Sequence, residues 1–416
     1  MNNMEQRKIY FPIIFLMSWL ILTILSFAFG PYLYKLTQPV VFYSYLFLIH
    51  AGLLFGYIWG QRNTGCKTRL NIDYYRFVEI TVIISLVYLI IKIIFTGGGD
   101  LRNFLGTFRN AQESYASSSL KNSNLFSYTD ILFFPIFIIA LTNAIYSHSK
   151  LSWTYRLCVY FMILVLLAFS IGSATRAGIM QIFILSFAAF ILSIYQKNFI
   201  IQKYNKILMI FIILITIGGF FVYSNVLIYK RRSIPLVNPL TNELPKENYF
   251  LLKIAPQNLA PSIYNTSFYI SHSYYQLNRA LNMPFMGLTF GLSNSYFVMD
   301  NIEQITGWSW PKEVSYGLRL DNEIGIGYGA YWSTFYTWIA SDVTFPGTIV
   351  VIFFIGYLFS MALRDSLFRL NPLAITSFCT LFFFIFHFAF NNPLQDGQGI
   401  ITYFCLPVIW LIFRKK

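Results

Sequence analysis

The chain has 416 residues, of which 56% are hydrophobic and only 11% charged, against roughly 25% charged in an ordinary soluble protein. Lysine and arginine together number 30 and aspartate and glutamate 16, a net charge of +14. A soluble globular domain is excluded, and in a chain this apolar the cation excess reflects membrane topology, with no nucleic-acid partner expected.

Crossing a hydrocarbon core of roughly 30 Å at 1.5 Å per residue takes about 20 apolar residues. Spans are predicted near 9–29, 40–60, 77–96, 128–146, 157–173, 177–195, 207–227, 346–363, 373–390 and 400–413. None shows the polar stripe of a soluble core helix. The first run, FPIIFLMSWLILTILSFAFG, is longer than a signal core and no Ala-x-Ala site follows, so a retained first helix is expected. The expected fold is an all-α polytopic membrane protein of about ten helices, up to twelve if loop segments also cross.

Cation placement sets the orientation. With the N-terminus in the cytoplasm, the inner side receives Arg7, Lys8, Arg62, Lys67, Arg69, Arg76, Lys150, Arg156, Lys197, Lys203, Lys206, Arg364, Arg369 and the Arg414–Lys416 tail, against Glu5, Asp73 and Asp365. The short outer connections and the residues nearest a helix end hold about half as many cations, so both termini are expected inside. Cys66, Cys158, Cys379 and Cys405 all fall away from the outer segments, and no structural disulfide is expected.

The expected division is a seven-helix bundle over 1–227 with an outer loop at 97–127, a large outer loop over 228–345, and closing helices over 346–416. The large loop is too aromatic for a disordered tail. Its segments YISHSYYQLNRALN and YWSTFYTWIASD read as short helices at the interface.

No P-loop, HExxH, Cys-x-x-Cys or Gly-x-Ser-x-Gly is present. Cations on the outer face, where orientation does not require them, are the candidates. Arg176 lies in the hairpin GSATRAG between two spans, where it is either a functional cation or an anchor to lipid phosphate. Lys230, Arg231 and Arg232 follow the seventh span; guanidinium forks match phosphate oxygens and suit a pyrophosphate at the membrane surface. His272 and Arg279, seven residues apart, fall on one face if their segment is helical. Arg319, Asp321 and Glu323 form RLDNE, whose carboxylates suggest an Asp-x-Asp metal motif or an ordinary solvated turn. Asp342 precedes the eighth span, and His387 and Lys92 lie near outer helix ends. No His/Asp cluster suggests a metal, and no cofactor is implied.

Three stretches, GSATRAGIMQIFILSFAAFIL, SHSYYQLNRALNMPFMGLTFG and YWSTFYTWIASDVTFPGTIVVIFFIGYLFSMALR, together with the order of helices and loops, resemble the O-antigen polymerase (Wzy-type) family. The resemblance implies a metal-independent, GT-C-like glycosyltransferase at the periplasmic face of the bacterial inner membrane. Its donor would be the growing glycan on undecaprenyl pyrophosphate, its acceptor a lipid-linked repeat unit, and its partners membrane lipids and a chain-length regulator protein. The family's arginine hairpin carries over to Arg176 and its loop arginine to Arg279. Lys230, Arg231, Arg232, Arg319 and Asp342 are assigned to pyrophosphate or glycan binding, and the base is left open among His272, Asp321, Glu323 and Asp342. The competing expectations are an O-antigen ligase and a lipid-linked oligosaccharide flippase. The large outer loop and the lack of an internal repeat argue against the latter.

Overall fold

The structure is a computed structural model and describes residues 3–62, 67–68, 73–96, 125–172, 177–196, 237–246, 249–250, 253, 259–324, 332–368 and 370–415. In chain order the helices are α1 (Asn3–Phe29), α2 (Pro39–Gly60), α3 (Tyr74–Thr96), α4 (Leu125–Tyr146), α5 (Trp153–Gly172) and α6 (Ala177–Tyr195). They continue with α7 (Ala260–Leu281), α8 (Tyr296–Thr306), α9 (Trp310–Val314), α10 (Tyr316–Ile324), α11 (Phe335–Phe368), α12 (Pro372–Phe386) and α13 (Gly397–Phe413). Among the described residues the one strand pairing joins Lys67–Thr68 to Arg414–Lys415, antiparallel.

Seven of these helices are long and apolar enough to cross a membrane: α1 to α6 and α11. They fall on the stretches expected at 9–29, 40–60, 77–96, 128–146, 157–173, 177–195 and 346–363. The helices at 372–386 and 397–413 are apolar but shorter. The expected span at 207–227 and the loop from 97 to 124 lie outside the described residues.

Helix α11 is two helices. Thr344 takes φ 72, a left-handed value that a β-branched residue rarely adopts, and breaks the rod there. Its hydroxyl then accepts from Gly347 N–H at 3.3 Å, an N-cap for the second segment, and Pro346 sits in that segment's first turn where no N–H is needed. The apolar spanning run therefore starts at Phe345, and Phe335–Val343 is a separate, buried helical piece.

The chain divides into two compact units. The first comprises 1–64, 235–364 and 384–405. Here α7 packs along α1, with Thr23 Oγ1 and Tyr274 Oη 2.8 Å apart. Trp19 stacks on Phe386 at 4.4 Å and donates to its carbonyl at 3.0 Å. Helix α2 meets the spanning half of α11 through Gly52, Gly56 and Gly60. A Cβ on Gly56 would sit 1.9 Å from the Phe353 carbonyl oxygen, and one on Gly356 would sit 2.2 Å from that of Leu53. Small residues at four-residue spacing let two backbones approach, which is how helices associate where lipid removes the hydrophobic driving force.

The second unit comprises 65–234, 365–383 and 406–416. In it α3 packs on α4 and α5, and α6 on α4 and α5. Polar side chains inside it satisfy one another: Asn143 Nδ2 donates to Thr376 Oγ1 at 2.9 Å and to the Pro372 carbonyl at 3.2 Å. Asp365, fully buried, accepts from Arg414 Nε at 2.8 Å and from Trp410 Nε1 at 3.1 Å. Asp365→Asn keeps the shape and removes the charge that these donors need. A loss of about 1.5–3 kcal/mol is expected, the worth of a charged hydrogen bond. It is checked by the unfolding midpoint in detergent, where Asp73→Asn at an exposed position leaves the midpoint unchanged.

Candidate functional site

Of the expected site residues, Arg176, Lys230, Arg231 and Arg232 lie outside the described residues. The other six, Arg279, His272, Arg319, Asp321, Glu323 and Asp342, all belong to the first unit. They sit on three elements: α7, α10 and the first half of α11.

Helix α10 begins after Ser315, and its backbone is tied to α11 where Tyr316 N–H donates to Ser341 Oγ at 2.9 Å. Tyr316 and Leu320 turn inward onto Ala280 of α7 and Ala340 of α11, with Met283 and Phe345 packed around them. Gly317 lies so close to Trp338 that a Cβ would come within 2.4 Å of its ring. With that face committed to the core, Arg319 and Glu323, four residues apart, share the outer face.

Arg279, in the last turn of α7, forms an ion pair with Glu323, both side chains about a third exposed. Arg319 donates to the Pro284 carbonyl at 2.8 Å and its guanidinium lies 5.4 Å from the centre of the Tyr316 ring. Two guanidinium groups and a carboxylate are thus held on neighbouring helices with donor positions still open to solvent. Asp321 is half-buried on α10. Guanidinium pairs of this kind bind phosphate or carboxylate oxygens and stabilise negative charge that develops there.

His272 and Asp342 are placed differently. His272 is buried, its ring stacked on Phe268 at 4.9 Å and its Nδ1 3.0 Å from the Phe268 carbonyl. Burial pushes its pKa down to about 4, against smaller upward effects of hydrogen bonds to the Phe268, Tyr269 and Trp332 backbone. The imidazole is therefore neutral at pH 7. Between about 4 and the unfolded value near 6.5 the unfolded chain binds the extra proton, so stability falls as pH drops through that window and is complete above it. The expected result is that His272→Gln flattens the decline in unfolding midpoint between pH 7 and pH 5. An unchanged slope would place the acid sensitivity elsewhere.

Asp342, in the first half of α11, is buried. Its Oδ1 accepts from Ser293 N–H at 3.0 Å and from the Thr289 hydroxyl, while Oδ2 is buried with no hydrogen-bond partner among the described residues. It clamps the 289–293 turn to α11. Nothing in the spacing of Thr289, Ser293 and Asp342 signals this contact.

Two polar contacts escape a reading of the sequence. His50, within α2, bonds through Nε2 to Tyr336 Oη at 3.1 Å and through Nδ1 to the Leu46 carbonyl at 2.7 Å. In the second unit Lys92 pairs with Asp130 at 2.7 Å, and Tyr88 donates to the same carboxylate. A lysine within the apolar run of α3 and an acid within that of α4 are the signal that was available, since ionisable groups in such runs demand partners. His387 is half-buried among Phe386 and Phe390. Among the described residues no group of three or more His, Cys, Asp and Glu side chains is arranged to hold a metal ion.

The arrangement is a partly solvent-open surface of two arginines and two carboxylates, carried by helices that do not meet both the length and the apolarity needed to cross a membrane, within a unit that also contains spanning helices. No protein-family model matches the chain, and no curated protein or solved structure shows significant similarity to it.

Proposed function

We propose that this chain is a glycosyltransferase of GT-C type. It joins undecaprenyl-pyrophosphate-linked oligosaccharide repeat units into O-antigen or a related surface polysaccharide, at the periplasmic face of a bacterial inner membrane. The observation that carries the reading is the Arg279–Glu323–Arg319 surface on α7 and α10. It offers guanidinium donors beside membrane-spanning helices, where a lipid pyrophosphate leaving group would be presented.

In the reaction an acceptor hydroxyl oxygen attacks the anomeric carbon of the donor glycan. The bond from that carbon to the pyrophosphate oxygen breaks, and undecaprenyl pyrophosphate leaves with the electron pair. Arg279 and Arg319 stabilise the charge on the departing oxygens, with Arg176 and the Lys230–Arg232 cluster as further cations. The hydroxyl proton passes to a carboxylate. Glu323, exposed on α10, and the half-buried Asp321 are more open to solvent than His272 and Asp342, which supports one of the first two in that role. With charge met by arginines the reaction needs no divalent metal. A protein that sets chain length is the expected partner.

The test uses purified protein in phospholipid vesicles with lipid-linked repeat units and excess EDTA. Products of increasing repeat number are expected. Transfer to lipid A core with no chain growth would instead identify a ligase, and unaided movement of intact repeat units across the vesicle wall a flippase. Chain growth lost with EDTA and restored by magnesium would move Asp321 and Glu323 to a metal site.

A further inference from the structure

Between α7 and α8 the chain runs MPFMGLTFG, and four of its large apolar side chains face outward: Phe285, Met286, Leu288 and Phe290, the last 84% exposed. Ile305 and Trp308, at and just after the end of α8, are exposed as well. A water-facing loop rarely gathers so many large apolar groups in so few positions.

The turn is held firmly. Phe290 takes φ 53, a left-handed value unfavourable for a bulky residue, and Gly287 and Gly291 take φ 153 and 96. A Cβ at Gly287 would come 3.0 Å from the Trp310 ring. Thr289 and Ser293 are anchored on the buried Asp342, and Arg319 holds the Pro284 carbonyl. The alternation is consistent: Thr289 is buried while Leu288 and Phe290 on either side are presented outward.

Its level relative to the spans is also defined within the first unit. The last turns of α7 meet the segment just before α2, where Asn278 Oδ1 accepts from Thr37 N–H at 3.1 Å. Phe345, at the start of the spanning half of α11, lies 5.1 Å from Tyr316 of α10 and 5.3 Å from Tyr45 of α2. The loop therefore leaves α7 at the depth where α2 and the spanning half of α11 begin, and Leu33 and Val40, on either side of Thr37 in the chain, are exposed.

We propose that residues 283–290 form a fixed wedge that inserts into the interfacial layer of the bilayer, the occupant of this surface being lipid. Phe, Met, Leu and Trp are the side chains that enter the headgroup and upper acyl region, and Arg319 and Arg279 beside them suit its phosphates. Through the Arg319–Pro284 contact, the wedge sets the depth of the Arg279 and Arg319 guanidinium groups relative to the lipid phosphates.

The experiment reads depth and not activity, so its outcome is independent of the proposed transferase reaction. Spin labels are placed by Phe290→Cys and, separately, Met286→Cys in the full chain. The unsubstituted chain serves as the control for labelling of native cysteines. The protein is reconstituted in phosphatidylethanolamine–phosphatidylglycerol vesicles. Phe47→Cys, exposed midway along α2, is the lipid reference, and Asn322→Cys, exposed on α10, is the aqueous one. At both wedge positions collisions with a water-soluble nickel chelate are expected to be lost and collisions with oxygen retained, as at Phe47. Chelate accessibility like that at Asn322 would overturn the proposal and leave a patch suited to a protein partner. Two positions are used so that one misfolded variant does not decide the matter.

Discussion

Gly56→Ala is expected to lower the stability of the protein by about 3 kcal/mol, the upper part of the range for overpacking. By helix propensity alone the change gains roughly 1 kcal/mol, because alanine is the better helix former. The sign reverses because the new Cβ would lie 1.9 Å from the Phe353 carbonyl oxygen, with Phe353 Cα itself 3.1 Å away. Backbone has no rotamer through which to retreat, so α2 and α11 must separate. Separation also loosens Gly52 against Ile349, Gly60 against Tyr357, and the packing of Tyr57 on Phe359 at 5.6 Å. Gly56→Leu is expected to prevent folding to a stable form. The check is the unfolding midpoint in detergent micelles, with Ala28→Gly, exposed in the last turn of α1, as an uncrowded change worth less than the roughly 1 kcal/mol of a helix interior. A midpoint for Gly56→Ala equal to or above the parent would rule out the close approach of the two helices.

Arg279→Ala is expected to slow chain growth roughly ten- to a hundredfold, the loss of one charge-assisted hydrogen bond worth about 1.5–3 kcal/mol in the transition state. The protein's abundance in the membrane should stay the same. The Arg279–Glu323 pair is about a third exposed on both sides, so as a structural contact it contributes only about 0–1 kcal/mol. That difference separates the two roles. If Arg279 merely braces α7 against α10, its removal costs activity only slightly, in line with that small contribution. If Arg279 meets the leaving pyrophosphate, its removal costs far more than that, and Arg279→Lys recovers only part because the paired fork is gone. The readout is the ladder of chain lengths made by the variants in reconstituted vesicles. A full-length ladder from Arg279→Ala would sink the assignment.

Hydropathy over a window of about 20 residues is a property of neighbouring residues alone. For that reason the apolar helices from Ile9–Phe29 to Ala177–Tyr195, and the spanning half of α11, are legible in the sequence itself. Pro346 and Gly347 likewise mark a break ahead of that half. The left-handed Thr344 that makes the break is not legible, since its conformation depends on the packing of Phe335–Val343.

The candidate site shows the same division. Residue type and position are enough to single out Arg279, Arg319 and Glu323, because charge in an apolar chain is conspicuous. Their arrangement is not legible, since Arg279 finds Glu323 across 44 positions, and Thr289 finds Asp342 across 53. His272 and Arg279 share a helix as their spacing implies, yet one is buried and stacked while the other is partly open to solvent. Periodicity reports a face of a helix; what covers that face depends on segments far along the chain. The sequence by itself determined which stretches are helical and apolar enough to cross a membrane, and which charges stand out against them. Only the tertiary structure decided which of those charges pair, which glycines carry a backbone contact, and which side of the 283–291 turn faces outward. Each of these rests on contacts between residues whose separation along the chain leaves no local trace.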